Sequence, residues 1–233
     1  MKFESFIKEI VPRLEGVTSF RFPRPDKLVY KAGQYMLVTI TSGEKQMMHA
    51  FSISGSPTEP DYIEFTKKFT DSEYSNTLKA LKPLDWAQID APHGNFTFEG
   101  EHPKIALLTG GIGITPFRSI CKYCTDKQIN SQITLFYGCR NPSEIAFKDD
   151  LMQMQKQNKN LKIVVTVNQA DSTWQGPVGN ITHNLVKQHL PDYKDHMFYA
   201  CGPPGMVKAM TNMIKELELP ETQLKLENFA GYT

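Results

Sequence analysis

Cysteine is scarce in this sequence: four residues in 233. They lack the density of a disulfide-stapled secreted domain, so reduced thiols are expected. Long apolar runs are missing as well. Stretches such as Ile105–Leu108 are too short to span a bilayer, and the start MKFESFIKEI is too charged for a secretory signal. Nor is there an excess of one charge. Lys and Arg total 26 against 25 Asp and Glu, interspersed without a basic block, which argues against nucleic acid or an anionic membrane as partner. The expectation is a soluble chain of the cytoplasm. What is present is ordinary globular usage, 40% apolar and 22% charged with 15 Gly and 15 Pro. The length corresponds to about one and a half typical domains.

The first hundred residues read as short β runs between turns: Gln34–Ile40, Ala50–Ser54, Tyr62–Phe65, Ala87–Ile89 and Phe96–Phe98. Such spacing predicts an antiparallel barrel or sandwich. One helical patch interrupts it, where Leu78, Leu81 and Leu84 follow Ser75-Asn76. From Pro103 onward the strand-like runs Ile105–Leu108, Ile133–Tyr137, Ile163–Val167 and Met197–Ala200 alternate with helix-length segments at Pro116–Cys124, Ile145–Gln155, Ile181–His189 and Pro204–Leu217. That alternation predicts a parallel α/β sheet. The domain boundary is placed between Glu99 and Pro103, giving domains 1–101 and 102–233.

Two Gly/Pro-rich loops carry the chemistry. Leu107-Leu108-Thr109-Gly110-Gly111-Ile112-Gly113-Ile114-Thr115-Pro116 runs from a strand into a helix. Glycines let a backbone approach an anion closely, Thr115 suits a helix cap and Pro116 the first helical position, which aims exposed amides at a pyrophosphate. The turn departs from the usual dinucleotide fingerprint, since Pro116 stands where a third glycine would, and it is not a P-loop. Cys201-Gly202-Pro203-Pro204-Gly205 repeats the device after the strand Met197–Ala200. In an open parallel sheet both loops would face one crevice at the carboxyl ends of the strands.

Three further segments are His49-Ala50-Phe51-Ser52-Ile53-Ser54, Ser75-Asn76-Thr77-Leu78, and Glu227-Asn228-Phe229-Ala230-Gly231-Tyr232. Taken in order with the two loops, the chain resembles the ferredoxin-NADP reductase superfamily over nearly its whole length. The resemblance implies two domains: an antiparallel β-barrel flavin domain, then an α/β parallel-sheet nicotinamide-nucleotide domain. It also implies hydride transfer between the cofactors. The family's flavin motif is Arg-x-Tyr-Ser; here Phe51 and Ser52 fit it, Ala50 occupies the free position and His49 replaces Arg. A histidine, with a reference pKa near 6.5, gives up the permanent bidentate charge that arginine offers a phosphate. Lys67 matches a basic residue beside the flavin phosphates or ribose. Ser75 and Asn76 match a pyrophosphate-binding turn, with a plain helix cap as the competing reading. At the carboxyl end Phe229 fits the ring that covers the flavin face, with Tyr232 as the alternative.

The resemblance further implies that a nicotinamide dinucleotide lies over Gly110, Gly111, Gly113, Ile114, Thr115 and Pro116. Cys201, Gly202, Pro203 and Met206 then border its nicotinamide end and Arg140 is within reach of its adenosine end. Ser52, Cys201, Glu227 and Phe229 are the implied catalytic group: Ser52 bonding flavin N5, Cys201 orienting the nicotinamide, and Glu227 tuning charge near the reacting atoms. FAD is the expected flavin, with FMN as the other choice. Thr166-Val167-Asn168-Gln169 contains no Arg or Lys to hold a 2′-phosphate, which favours NADH, while Arg140 keeps NADPH open. The implied partner is a separate redox protein or acceptor subunit. The alternatives are a flavin reductase using free flavin as substrate, or a nucleotide-sensing subunit without turnover. No metal site is expected: Cys121 and Cys124 are assigned to helix packing, and no iron-sulfur motif is present.

Overall fold

Strands in the first hundred residues follow from period-two patterning. Apolar and polar residues alternate through β1 (Lys2–Phe6), β2 (Glu9–Leu14) carries Ile10-Val11-Pro12 without alternation, and the alternation returns in the latter half of β3 (Val17–Pro23). β4 (Tyr35–Ser42) turns Met36, Val38 and Ile40 inward and is followed by β5 (Lys45–Ser52). β6 (Tyr62–Lys68), helix α1 (Glu73–Ala80) and β7 (Trp86–His93) complete the set, with Ala87, Ile89 and Ala91 fully buried. The structure, a computed structural model, describes residues 1–229, so Tyr232 lies outside the described residues. All pairing here is antiparallel, in the orders β1-β7-β4-β5 and β2-β3-β6, and an Ile53–Phe65 bridge carries the chain beyond β5 onto β6. Phe20, Phe22, Val38, Phe65 and Ile89 belong to the common core.

Several expectations change. Strands β1 to β3 precede Gln34, where the first strand was expected. Their apolar residues are diluted by charge, and Pro12 sits in β2, an edge strand that can spare an N–H. Phe96–Phe98 is not a strand; both rings are buried as separate plugs, Phe96 lying 5.7 Å from Phe117. α1 begins earlier than the Ser75-Asn76 pair, because Ser72 caps it by accepting from Ser75 N–H. Leu84 lies beyond that helix at φ +77°, well exposed.

The second half alternates as expected: β8 (Lys104–Gly110), α2 (Ile114–Asp126), β9 (Gln132–Cys139), α3 (Lys148–Gln157), β10 (Leu161–Val167), α4 (His183–His189), β11 (Met197–Gly202), α5 (Pro204–Glu216) and β12 (Leu224–Asn228). The strands form one parallel sheet ordered β10-β9-β8-β11-β12. Successive strands therefore build outward on one side of β8 and then on the other, making β8/β11 the topological switch point. Ala106, Leu108, Phe198 and Ala200 pack with Met210, Met213 and Ile214 of α5. α3 starts at Lys148 rather than Ile145, since Phe147 adopts a left-handed conformation (φ +59°) just before it.

By internal contacts the chain divides into two compact units. The first is Met1–Glu99 with Thr115–Tyr123; the second is Gly100–Ile114 with the chain from Cys124 onward. In the first unit Arg118 anchors the middle of α2. Its guanidinium donates to the Ser54 carbonyl at 3.2 Å and to both Glu59 carboxylate oxygens at 2.5 and 3.0 Å, and Ser119 Oγ donates to the Gly55 carbonyl at 2.7 Å. Burial by itself would raise the Glu59 carboxyl. The Arg118 hydrogen bonds and charge, aided by Ser56 N–H and the Tyr62 hydroxyl, instead hold it at about 2.

A depressed carboxylate adds stability above its unfolded value, and that stability is lost as pH falls from about 4.5 toward about 2. Arg118→Ala, which strands a buried carboxylate, is expected to lower the unfolding free energy by about 3–5 kcal/mol in urea melts. Glu59→Gln should flatten the acid limb of the stability profile. An unchanged acid limb would remove this pair from the acid response.

Candidate functional site

In the first unit the site is built on β5, which lies at the edge of its sheet and so presents outward backbone groups. His49 and Ala50 are exposed, whereas Phe51 and Ser52 are buried. The Phe51 ring stacks on Phe65 at 4.3 Å, and the His49 ring lies 4.3 Å from Tyr74 of α1. Tyr74 is fixed in turn by donating its hydroxyl to the Val38 carbonyl at 2.9 Å. Lys67 of β6, nearly enclosed, has its ammonium 5.7 Å from the Phe51 ring centre. Burial, and then the Lys67 charge, lower the His49 pKa, so this imidazole is neutral at pH 7. His49, Phe51 and Lys67 thus form one aromatic and cationic surface, with Tyr74 an addition that the sequence reading missed.

Ser75 and Asn76 part company. Ser75 is fully buried, and its hydroxyl accepts from the Thr70 N–H at 3.1 Å, closing the loop before α1. Asn76 lines a groove of about 660 Å³ with Thr41, Ser42, Asp71, Glu73 and Thr77. Two carboxylates there oppose a pyrophosphate, although Lys45 pairs with Glu73 at 2.5 Å.

In the second unit the ends of β8 and β11 come together. Thr109 Oγ1, just before the glycine turn, donates to the Cys201 carbonyl at 2.9 Å. A Cβ on Gly113 would lie 2.6 Å from Thr109 Oγ1, 2.7 Å from the Cys201 carbonyl oxygen and 3.0 Å from the Gly202 Cα, so no other residue fits there without backbone movement. A Cβ on Gly110 would meet the methyl of Met206, which packs across the ends of both strands. Gly111 is pinned by its carbonyl, which accepts from the buried Tyr137 hydroxyl at 3.0 Å. The 3-10 turn Gly111–Gly113 runs straight into α2, so Thr115 is its second residue and Pro116 its third, not the cap and first position expected. Pro116 still falls in the first turn, where its missing N–H goes unneeded.

Cys201 has no exposed surface, and its thiol donates toward Glu227 Oε2 at 3.8 Å. Burial first, then the Glu227 charge, push this thiol well up, so it stays protonated. Glu227 and Phe229 are half-buried, and Phe229 N–H donates to the Gly202 carbonyl at 3.0 Å. Pro203 is the N-cap of α5. Arg140 is exposed beyond β9, its carbonyl accepting from Gln169 N–H at 2.8 Å, which sets the adenosine-specificity candidates side by side. Among the described residues there is no group of three metal-ligating side chains, and no helix is long and apolar enough to cross a membrane.

A family model for the oxidoreductase FAD-binding domain matches residues 8–98, and one for the oxidoreductase NAD-binding domain matches residues 107–212. The chain is 28% identical over 240 residues to NADH-cytochrome b5 reductase 1 of Ajellomyces capsulatus, covering 97% of this chain and 77% of that one. It is 28% identical over 200 residues to a probable flavin reductase of Photobacterium leiognathi, covering 83% of each. A ferredoxin NADP+ reductase from Neisseria gonorrhoeae, with bound FAD and NADP, shares the fold at a TM-score of 0.84 and 20% identity, over 97% of this chain and 98% of that one. The two domains and their loops define a flavoprotein oxidoreductase dependent on NAD(P)H. The chain belongs to the ferredoxin-NADP reductase superfamily.

The residues present fit both groups that this membership implies. An edge strand beside stacked rings and an enclosed ammonium suits a flavin with its phosphates, and the open side of the turn at Gly111, where a Cβ would meet nothing within 4 Å, suits a close-lying dinucleotide over a backbone that Gly113 holds against β11. Gly113→Ala is expected to cost about 1–3 kcal/mol of stability, as overpacking does, and to weaken NAD+ binding. Thermal melts and calorimetry check both; full NAD+ affinity in this variant would place the dinucleotide elsewhere.

Proposed function

We propose that the chain is an NADH-dependent reductase of the cytoplasm that passes electrons through bound FAD to a separate one-electron redox protein. The observation that carries the reading is the convergence of the Gly110–Gly113 turn and the Cys201–Gly205 loop at the carboxyl ends of β8 and β11. Bound flavin supplies the conversion of a two-electron hydride into single electrons. The protein's own residues hold, orient and shield. Backbone amides of the turn through Thr115 would receive the pyrophosphate, Met206 and Pro203 would wall the nicotinamide end, and Cys201, wholly buried and protonated, would back that end without making a competing nucleophile. Ser52 would be the residue to hydrogen-bond flavin N5, Glu227 the one to set the local charge, and Phe229 the ring to cover the flavin face. Lys67 and His49 would serve the phosphates or ribose.

NADH is favoured because Thr166 Oγ1 is engaged with the Gly179 carbonyl at 2.6 Å and the adjacent Asn168 and Gln169 carry no charge for a 2′-phosphate. Anaerobic titration followed at flavin wavelengths tests the proposal: full bleaching by NADH at a lower concentration than NADPH is expected. No bleaching by either nucleotide would point to a subunit without turnover.

The neutral His49 favours a second reading, in which flavin is a substrate that comes and goes; likeness to a probable flavin reductase agrees. Flavin remaining stoichiometric after gel filtration supports the first reading, and a colourless protein that still reduces added flavin supports the second. If His49 meets a phosphate, the anion favours the imidazolium, so flavin affinity should rise as pH falls from 8 to below about 6.5. His49→Gln should remove that dependence and His49→Arg should tighten binding at all pH values, as read by fluorescence titration.

A further inference from the structure

The amino ends of the parallel strands, the opposite edge of the sheet from the glycine loops, enclose a pocket of about 280 Å³ that the redox reaction does not use. It forms where β9 and β10 begin and the segment before β11 crosses them. Lys159, Lys162, His189 and His196 line it, with Asp192 as its acidic group. His196 is only 1% exposed, and its Nδ1 lies 3.1 Å from the Asp192 carbonyl. A carbonyl can only accept, so Nδ1 holds the proton and Nε2 is the atom left to gain a second. Lys162 Nζ donates to the His189 carbonyl at 2.9 Å, which uses one of its three donors and fixes its head at the rim. The Asp192 carboxylate is already taken, accepting from Lys104 Nζ at 2.6 Å, and the same ammonium reaches Asp195 at 3.0 Å. What lines the cavity is therefore a surplus of donors and positive charge, with Gln132, Thr134 and Asn160 as further polar residues and Ile133 and Leu190 as apolar wall.

We propose that this pocket is an anion site, separate from the nucleotide loops, that takes a small phosphate-class oxyanion. A tetrahedral dianion accepts from several donors at once, and charge-assisted bonds from Lys159 and Lys162 suit it. The imidazoles agree. Burial first, with Lys162 adding for His189, lowers both histidines; for His196 the Asp192 and Asp195 groups pull the other way and Lys104 adds to the lowering. An anion in the pocket would relieve that penalty and raise both.

The test is side-chain NMR of the histidines in the full chain, titrated at constant ionic strength with inorganic phosphate and, separately, with α-glycerophosphate. His189 and His196 should shift together along one saturable curve. Lys162→Gln and Lys159→Gln, both at exposed positions, should each weaken binding by about tenfold. Saturating NAD+ should leave the curve in place. Binding of inorganic phosphate alone identifies a free anion as the occupant, and binding of both probes identifies a phosphate monoester as acceptable. A drift that never saturates, a curve unaltered in both lysine variants, or displacement by NAD+ would each overturn the proposal.

Discussion

The nucleotide end of the second unit depends on backbone meeting backbone. Gly113 approaches the Cys201 carbonyl and Gly202 closely enough that a single methyl group would force them apart, and Thr109 stitches the same contact from the strand side. Parallel pairing of β8 with β11 supplies the register, with Thr109 opposite Cys201. From this follows the rest of the local arrangement: the turn is held on both sides, by Cys201 and by the Tyr137 hydroxyl, so its amides are positioned without a ligand. Preorganisation of that kind lowers the ordering cost that binding must otherwise meet.

The first unit solves a different problem, because its strands bury charge. Glu64 is fully buried and accepts from Arg13 and Arg21, both at 2.8 Å, and from Ser54 Oγ at 2.9 Å. Ser54 also meets Thr66, and Ser19 joins Thr66 to Arg13. A buried carboxylate is tolerable when its lone pairs are filled in this way, and removing one donor leaves the others facing an uncompensated charge. The network spans β2, β3 and β6 and ends in the loop directly after Ser52. The Arg118–Glu59 pair holds the same loop five residues further on, so the backbone following the flavin motif is fixed by two ionic clusters that meet at Ser54.

Much of this was legible in the sequence where local chemistry decides the outcome. Glycines at the end of an apolar strand announced the β8 turn, and alternation of strand and helix announced the parallel sheet. The early strands β1 to β3 were hidden because each buries one face only, and their charged residues, Arg13 and Arg21 included, look solvated until Glu64 is placed among them. Phe96 and Phe98 gave a strand-like signal for the opposite reason, since two buried rings two residues apart mimic a pleat. Tyr74 had no local signature: its contact with His49 requires α1 to be laid beside β5, which only the tertiary fold does. The helix start at Ile114 was displaced from Pro116 because a 3-10 turn and an α-helix can run together without a break.

The few cysteines have a consequence for durability. All four are buried, Cys124 is pushed up to about 12 by burial and then by Glu101, and Cys201 is held protonated beside Glu227. The thiolate is the form that reacts with oxidants and alkylating agents, and burial disfavours it at Cys124 and Cys201. An oxidoreductase whose thiols are all buried presents few sulfur nucleophiles of its own to oxidants. Its chemical ageing falls instead on exposed thioethers such as Met48 and Met152, both remote in sequence from the Cys201 loop.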